Sequence, residues 1–151
     1  MLKLALRYGL LIAAGVMLWS IIAHLVVTDP TSKVHSLGAL TFFNVLQFLG
    51  IYLGISALGR ELGDRPTFKQ GLKMGVWISF VYAATVCIFF LVVILVIGPR
   101  WLAGEPGAQV QPMSTVALQA FMGLFFVSML FGLIYSTVIA FAMAKRLSRQ
   151  G

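Results

Sequence analysis

Long apolar stretches without charge most constrain how this chain can fold. Four occur, at 8–28, 38–58, 74–98 and 114–144, and none contains Asp, Glu, Lys or Arg. Each matches or exceeds the roughly 20 apolar residues that cross a bilayer core about 30 Å thick. Charged residues make up only 10% of the chain and the mean hydropathy is +1.00, whereas soluble proteins carry about 25% charged residues. The sequence therefore predicts an all-α integral membrane bundle of four transmembrane helices.

Turn and capping residues set the predicted helix ends. We expect a single domain of 151 residues with Ser36 as the N-cap of the second helix. Thr67 and Gln70 have the spacing of a capping box at the start of the third. The first stretch is too long for a signal-peptide core of about 7–15 residues and is interpreted as a retained helix. The predicted helices cover about 4–28, 37–59, 68–98 and 114–146.

The basic residues predict the orientation. Nine of the 11 lie in the N-terminus, the central loop and the C-terminal tail, and only Lys33 and Arg100 lie in the other two connections. Short cytoplasmic loops carry the excess of Lys and Arg, so both termini are expected in the cytoplasm and the protein in the inner (plasma) membrane. The net charge of +7 is spread over the ends of apolar runs. A nucleic-acid partner is therefore not expected.

Small residues recur at intervals of four along all four predicted helices, including Ala5, Gly9 and Ala13 of the first. In lipid, helices associate through close backbone approach, which small side chains on one face allow. The spacing predicts packing within one bundle, with self-association through one of these stripes as the alternative. The predicted packing residues are Gly50 and Gly54 in the second helix, Gly71, Gly75, Ser79 and Ala83 in the third, and Ser128, Gly132, Ser136 and Ala140 in the fourth.

Polar side chains within the apolar stretches suggest a second possibility. His24, Asn44, Gln47 and Gln119 all fall in the predicted outer half of the membrane. Polar groups in lipid are costly unless paired, so they face each other or water. The sequence leaves two alternatives open, a small polar pocket or simple interhelical hydrogen bonds.

Basic side chains near the predicted inner surface are expected to attract anionic lipid headgroups. These are Arg60, Arg65, Lys69, Lys73, Lys145 and Arg146.

The sequence contains no Cys-x-x-Cys, no His-Glu-x-x-His and no glycine-rich phosphate loop. No cofactor or metal site is therefore predicted, and the single Cys87 is interpreted as a small buried apolar side chain. The first functional hypothesis is a non-enzymatic inner-membrane protein that acts through helix packing, self-association or contact with a membrane partner. The alternative is a transporter or binding protein for a small solute or lipid that uses the outer polar residues.

The central stretch resembles a bacterial family of small membrane proteins, domain-of-unknown-function family 4199. The resemblance rests on Arg60-x-x-x-Gly63, on the segment 67–75 with sequence Thr-Phe-Lys-Gln-Gly-Leu-Lys-Met-Gly, and on the opening segment 6–11. It implies a four-helix membrane fold in a bacterium. It implies no activity and no binding residues.

Overall fold

Four long helices make up the part of the chain that the structure, a computed structural model, describes: residues 1–26, 33–64, 66–97 and 112–145. The helices are α1 (Leu2–Val26), α2 (Lys33–Leu62), α3 (Phe68–Ile97) and α4 (Met113–Lys145). All four are long and apolar enough to cross a membrane, and no strand occurs in these ranges. The predicted all-α bundle of four membrane-spanning helices is confirmed.

The second helix differs most from its predicted limits. It begins at Lys33 and not at 37, so Ser36 lies inside the helix and its prediction as an N-cap is wrong. It also continues past 59 to Leu62, where Gly63 adopts a φ of +66°. Glycine enters this left-handed conformation without steric cost and commonly ends helices. The central loop is therefore shorter than the polar stretch of sequence suggests.

The third helix begins with the predicted capping box. The Thr67 backbone N–H donates to Gln70 Oε1 at 2.9 Å, and the Gln70 N–H lies 3.4 Å from the Thr67 hydroxyl oxygen. These bonds satisfy amides that have no partner within the helix. The capping box is confirmed, and it fixes the start of α3 five residues after Gly63.

The central pair of the bundle is formed by α2 and α3, each of which packs against all three other helices. Among the described residues, α1 and α4 make no contact with each other. The interior contains Ile12, Ile51, Ile55, Met74 and Ile78, all of which are almost completely buried. Leucine, valine and phenylalanine side chains cover the outside, and Leu95 and Phe126 are 76% and 60% exposed. An apolar exterior of this kind suits a lipid environment, in which exposed apolar surface carries no penalty.

Candidate functional site

The two longest stripes of small residues pair with each other between α3 and α4. Gly75 faces Ser136 and Gly132 faces Ser79, each so closely that a Cβ atom on the glycine would overlap the serine side chain. A Cβ on Gly71 would lie 2.9 Å from the Cβ of Ala140. Because the helices run antiparallel, each step of four along α3 meets a step of four backwards along α4. The remaining predicted members, Ala83 and Ser128, are also buried.

The serine hydroxyls at this interface are satisfied within their own helices. Ser79 Oγ donates to the Gly75 carbonyl at 2.9 Å, and Ser136 Oγ donates to the Gly132 carbonyl. Both serines are fully buried, and a buried hydroxyl without a partner would be costly. The hydroxyls therefore allow close helix approach without leaving an unpaired polar group.

The glycines of α2 receive larger side chains from other helices. A Cβ on Gly50 would overlap the Ile12 side chain of α1, and one on Gly54 would overlap Ile78 of α3. These contacts place the α2 glycines at interfaces within the chain. The predicted packing glycines thus face neighbouring helices of the same chain, and self-association through these stripes stays a prediction.

Two polar side chains of α2 form hydrogen bonds with α4. The Gln47 side-chain amide donates to the Ser128 carbonyl at 2.8 Å, and Gln47 is only 3% exposed. The Tyr135 hydroxyl donates to Asn44 Oδ1, also at 2.8 Å. The Asn44 amide nitrogen in turn donates to the Leu40 carbonyl at 2.7 Å. These contacts correspond to the interhelical hydrogen bonds that the sequence left open.

The predicted polar residues whose side chains the structure describes, Asn44, Gln47 and Gln119, differ in their surroundings. Gln119 is exposed on α4 and lies 16 positions before Tyr135, about 24 Å along the helix at 1.5 Å per residue. Gln47 is the fifteenth of the 30 residues of α2 and so lies next to the middle of that helix. The His24 side chain is outside the described residues. A pocket made by all four residues stays a prediction.

The structure also contains an apolar cavity of about 560 Å³ that the sequence did not reveal. It lies between α2, α3 and α4, where α3 ends and α4 begins. Its lining is aromatic and aliphatic apart from one thiol and one hydroxyl: Phe43 of α2; Cys87, Phe90, Leu91 and Ile94 of α3; and Ser114, Ala117, Leu118, Ala120, Phe121 and Leu124 of α4. The one visible sign in the sequence is that the small-residue stripe of α4 begins only at Ser128, four residues after Leu124.

The opposite end of the bundle carries the described basic side chains. Arg60, Lys69, Lys73 and Lys145 are all exposed there, and Lys145 Nζ lies 5.9 Å from the centre of the Phe141 ring. A cleft of about 500 Å³ includes Arg60 and Asp64 in its lining. Arg65 and Arg146, also predicted to contact headgroups, lie outside the described residues.

Comparison with known proteins returned no match among family models, curated proteins or solved structures. The resemblance to domain-of-unknown-function family 4199 therefore stays a prediction.

Proposed function

We propose that this chain is a non-enzymatic, multi-pass protein of the bacterial inner membrane that acts by binding other membrane components through its lipid-facing surface. The observation that carries the proposal is the use of the buried polar side chains. Gln47, Ser79 and Ser136 are engaged in hydrogen bonds that hold the bundle together. With these groups committed to packing, the outer surface of the helices offers the contacts for a partner.

The proposed orientation places both termini in the cytoplasm. The exposed bases Arg60, Lys69, Lys73 and Lys145 share one end of the bundle, and basic residues concentrate on the cytoplasmic side of inner-membrane proteins. These side chains would contact anionic headgroups, with each contributing about 1 kcal/mol near the membrane surface. The lipid bilayer is then the first partner. The second partner is either another copy of this chain or a different membrane protein.

Photo-cross-linking in intact membranes tests the proposed contacts. A photoreactive amino acid at Phe126, Leu130 or Val138, which are 60%, 58% and 56% exposed on α4, should give discrete adducts of higher mass. The matched control is Ile139, a larger side chain that is only 4% exposed on the same helix and should give none. Mass spectrometry would distinguish a second copy from another protein. Monomer alone from every exposed position, including exposed positions of α1 and α2, would contradict the proposal.

The second candidate function is a binding protein for a lipid or an apolar small molecule. The apolar cavity between α2, α3 and α4 favours it, because ligand pockets of about 300–1,000 Å³ are lined mostly by apolar and aromatic side chains. Asn44, Gln47 and Gln119, three of the polar residues that first suggested a transporter, are not part of the described lining. In this candidate function, the cavity replaces the polar residues as the binding site.

A further inference from the structure

The cavity begins where the close packing of α3 and α4 ends. Nearer the other end of the bundle, the pairs Gly71–Ala140, Gly75–Ser136 and Ser79–Gly132 bring the two backbones together. Further along the same faces the facing residues are Cys87 and Leu124, and both line the cavity. A leucine side chain does not fit between two helix backbones that are as close as facing glycine and serine residues allow. The two helices therefore separate beyond this point and leave space between them.

The length of the cavity matches one leaflet of a bilayer. On α4 it extends from Ser114 to Leu124, which is about 15 Å of helix at 1.5 Å per residue. Half of a hydrocarbon core of about 30 Å is the same distance. The uncharged stretch of α3 extends from Met74 to Gly98, so Cys87 lies next to its midpoint. The cavity thus extends from one membrane surface to the centre of the bilayer.

The chemistry of the lining selects a hydrocarbon ligand. The described lining has only the Cys87 thiol and the Ser114 hydroxyl as polar side-chain groups, and the thiol sulfur already lies 3.9 Å from the Phe121 carbonyl oxygen. A polar solute would lose its hydration here without gaining hydrogen bonds. Leu91, Leu118 and Phe121 line the cavity and are also exposed on the lipid-facing surface. Entry is therefore from the lipid.

We infer that the cavity holds one acyl chain of a phospholipid from the adjacent leaflet, the outer leaflet in the proposed orientation. This inference rests on the second candidate function and names its ligand. A chain lying between α3 and α4 fills the space that the helices leave and contacts Phe43 of α2 at its back. Because three helices surround it, this lipid should exchange more slowly than lipids on the open surface.

Quantifying the phospholipid that remains bound after exhaustive exchange into a mild detergent tests this inference. The wild-type protein should retain about one phospholipid per chain. Ala117→Phe and Ala120→Phe each place a ring in the cavity and should lower the retained phospholipid about tenfold. Ala142→Phe adds the same ring to an exposed position of α4 and should leave the retained amount unchanged.

A thermal-unfolding measurement with added phospholipid checks the same site. Added phospholipid should raise the Tm of delipidated wild type and of Ala142→Phe, and the rise should be lost in the two cavity variants. Wild type without bound phospholipid, or cavity variants that retain as much as wild type, would overturn the inference. Recovery of a free fatty acid or a non-lipid compound in place of phospholipid would also overturn it. None of these substitutions is at a photo-cross-linking position, so failure here and failure of the partner contacts are separate results.

Discussion

At the scale of single residues, Gln47 shows what the polar side chains in this bundle do. A glutamine near the middle of an apolar helix suggests a binding or transport site when only the sequence is known. In the structure its amide bonds to a carbonyl of α4 and is almost completely buried. The sequence predicted that this residue needs a partner, because an unpaired amide in lipid is costly. It could not identify the partner, since the Ser128 carbonyl is a backbone group that any residue would supply.

Gln47→Leu should destabilise the bundle. Interhelical hydrogen bonds in membrane proteins contribute about 0.6 kcal/mol on average and up to about 1.7 kcal/mol, and a fully enclosed bond of 2.8 Å should fall in the upper part of this range. The free energy of unfolding can be measured by titration with a denaturing detergent. Gln119→Leu is the control, because Gln119 is exposed and its replacement should change the free energy of unfolding only slightly. An equal loss for both variants would contradict the structural role of Gln47.

The Tyr135–Asn44 bond can be isolated by a double-mutant cycle. Tyr135→Phe removes the hydroxyl that bonds to Asn44 and keeps the ring, which lies 5.6 Å from the Phe48 ring and 5.9 Å from the Phe131 ring. We expect a coupling of about 0.6 kcal/mol with Asn44→Ala. Additive effects of the two substitutions would show that this hydrogen bond contributes nothing to stability.

At the scale of the helices, the sequence determines how small residues are spaced along each helix, but the packing of the bundle determines which helix they face. The interval of four between small residues was readable from the sequence, because it reflects the geometry of a single helix. Which stripe faces which depends on how the helices are arranged. The contacts of Gly75 with Ser136 and of Gly132 with Ser79 become visible only in the folded bundle. Ser36 shows a second limit of prediction from sequence. A serine next to an expected turn fits the pattern of an N-cap, but α2 begins earlier, at Lys33.

Gly75→Ala should disturb the α3–α4 interface. The added methyl group would overlap the Ser136 side chain, and overpacking of a close interface costs about 1–3 kcal/mol. The free energy of unfolding in denaturing detergent measures the effect. Adding Ser136→Gly in the same chain should restore part of the loss. Gly123→Ala is the control, since a Cβ there would meet no atom of a neighbouring helix within 4 Å; a comparable loss there would contradict the proposed contact.

Gly63→Ala tests how α2 ends. A Cβ on Gly63 would meet no other atom within 4 Å, so only the φ of +66° opposes the substitution. The left-handed conformation costs a residue with a side chain about 1–2 kcal/mol, and the unfolding free energy should fall by this amount. Gly38→Ala, in the same helix and equally free of neighbours, should be neutral or stabilising because alanine favours helix. Equal behaviour of the two variants would rule out a strained backbone at Gly63.

At the scale of the whole molecule, the four long uncharged apolar stretches predicted four membrane-spanning helices, and the structure has them. The apolar cavity could not be predicted in this way. It depends on Phe43, Cys87 and Phe121 coming together from three helices, and no interval within one helix encodes that arrangement. The polar pocket stays a prediction for the same reason, because residues expected at similar depth need not share a helix face.

The proposed orientation can be tested by cysteine labelling from each side of the membrane. In a Cys87→Ser background, Glu61→Cys and Lys145→Cys replace exposed residues at the basic end of the bundle. A membrane-impermeant maleimide should reach both only after the cells are opened. Glu105→Cys, in the connection between α3 and α4, should react in intact cells. Labelling of all three in the same compartment would be incompatible with four membrane crossings.

The arrangement of α4 has a consequence for biosynthesis. This helix follows the other three in the chain, and its closest contacts are with the glycine face of α3. Until it leaves the ribosome, Gly71, Gly75 and Ser79 border open lipid. In a nascent chain that has inserted only its first three helices, the face of α3 that later packs against α4 is therefore still uncovered. Insertase or protease recognition of that face would distinguish unfinished molecules from finished ones.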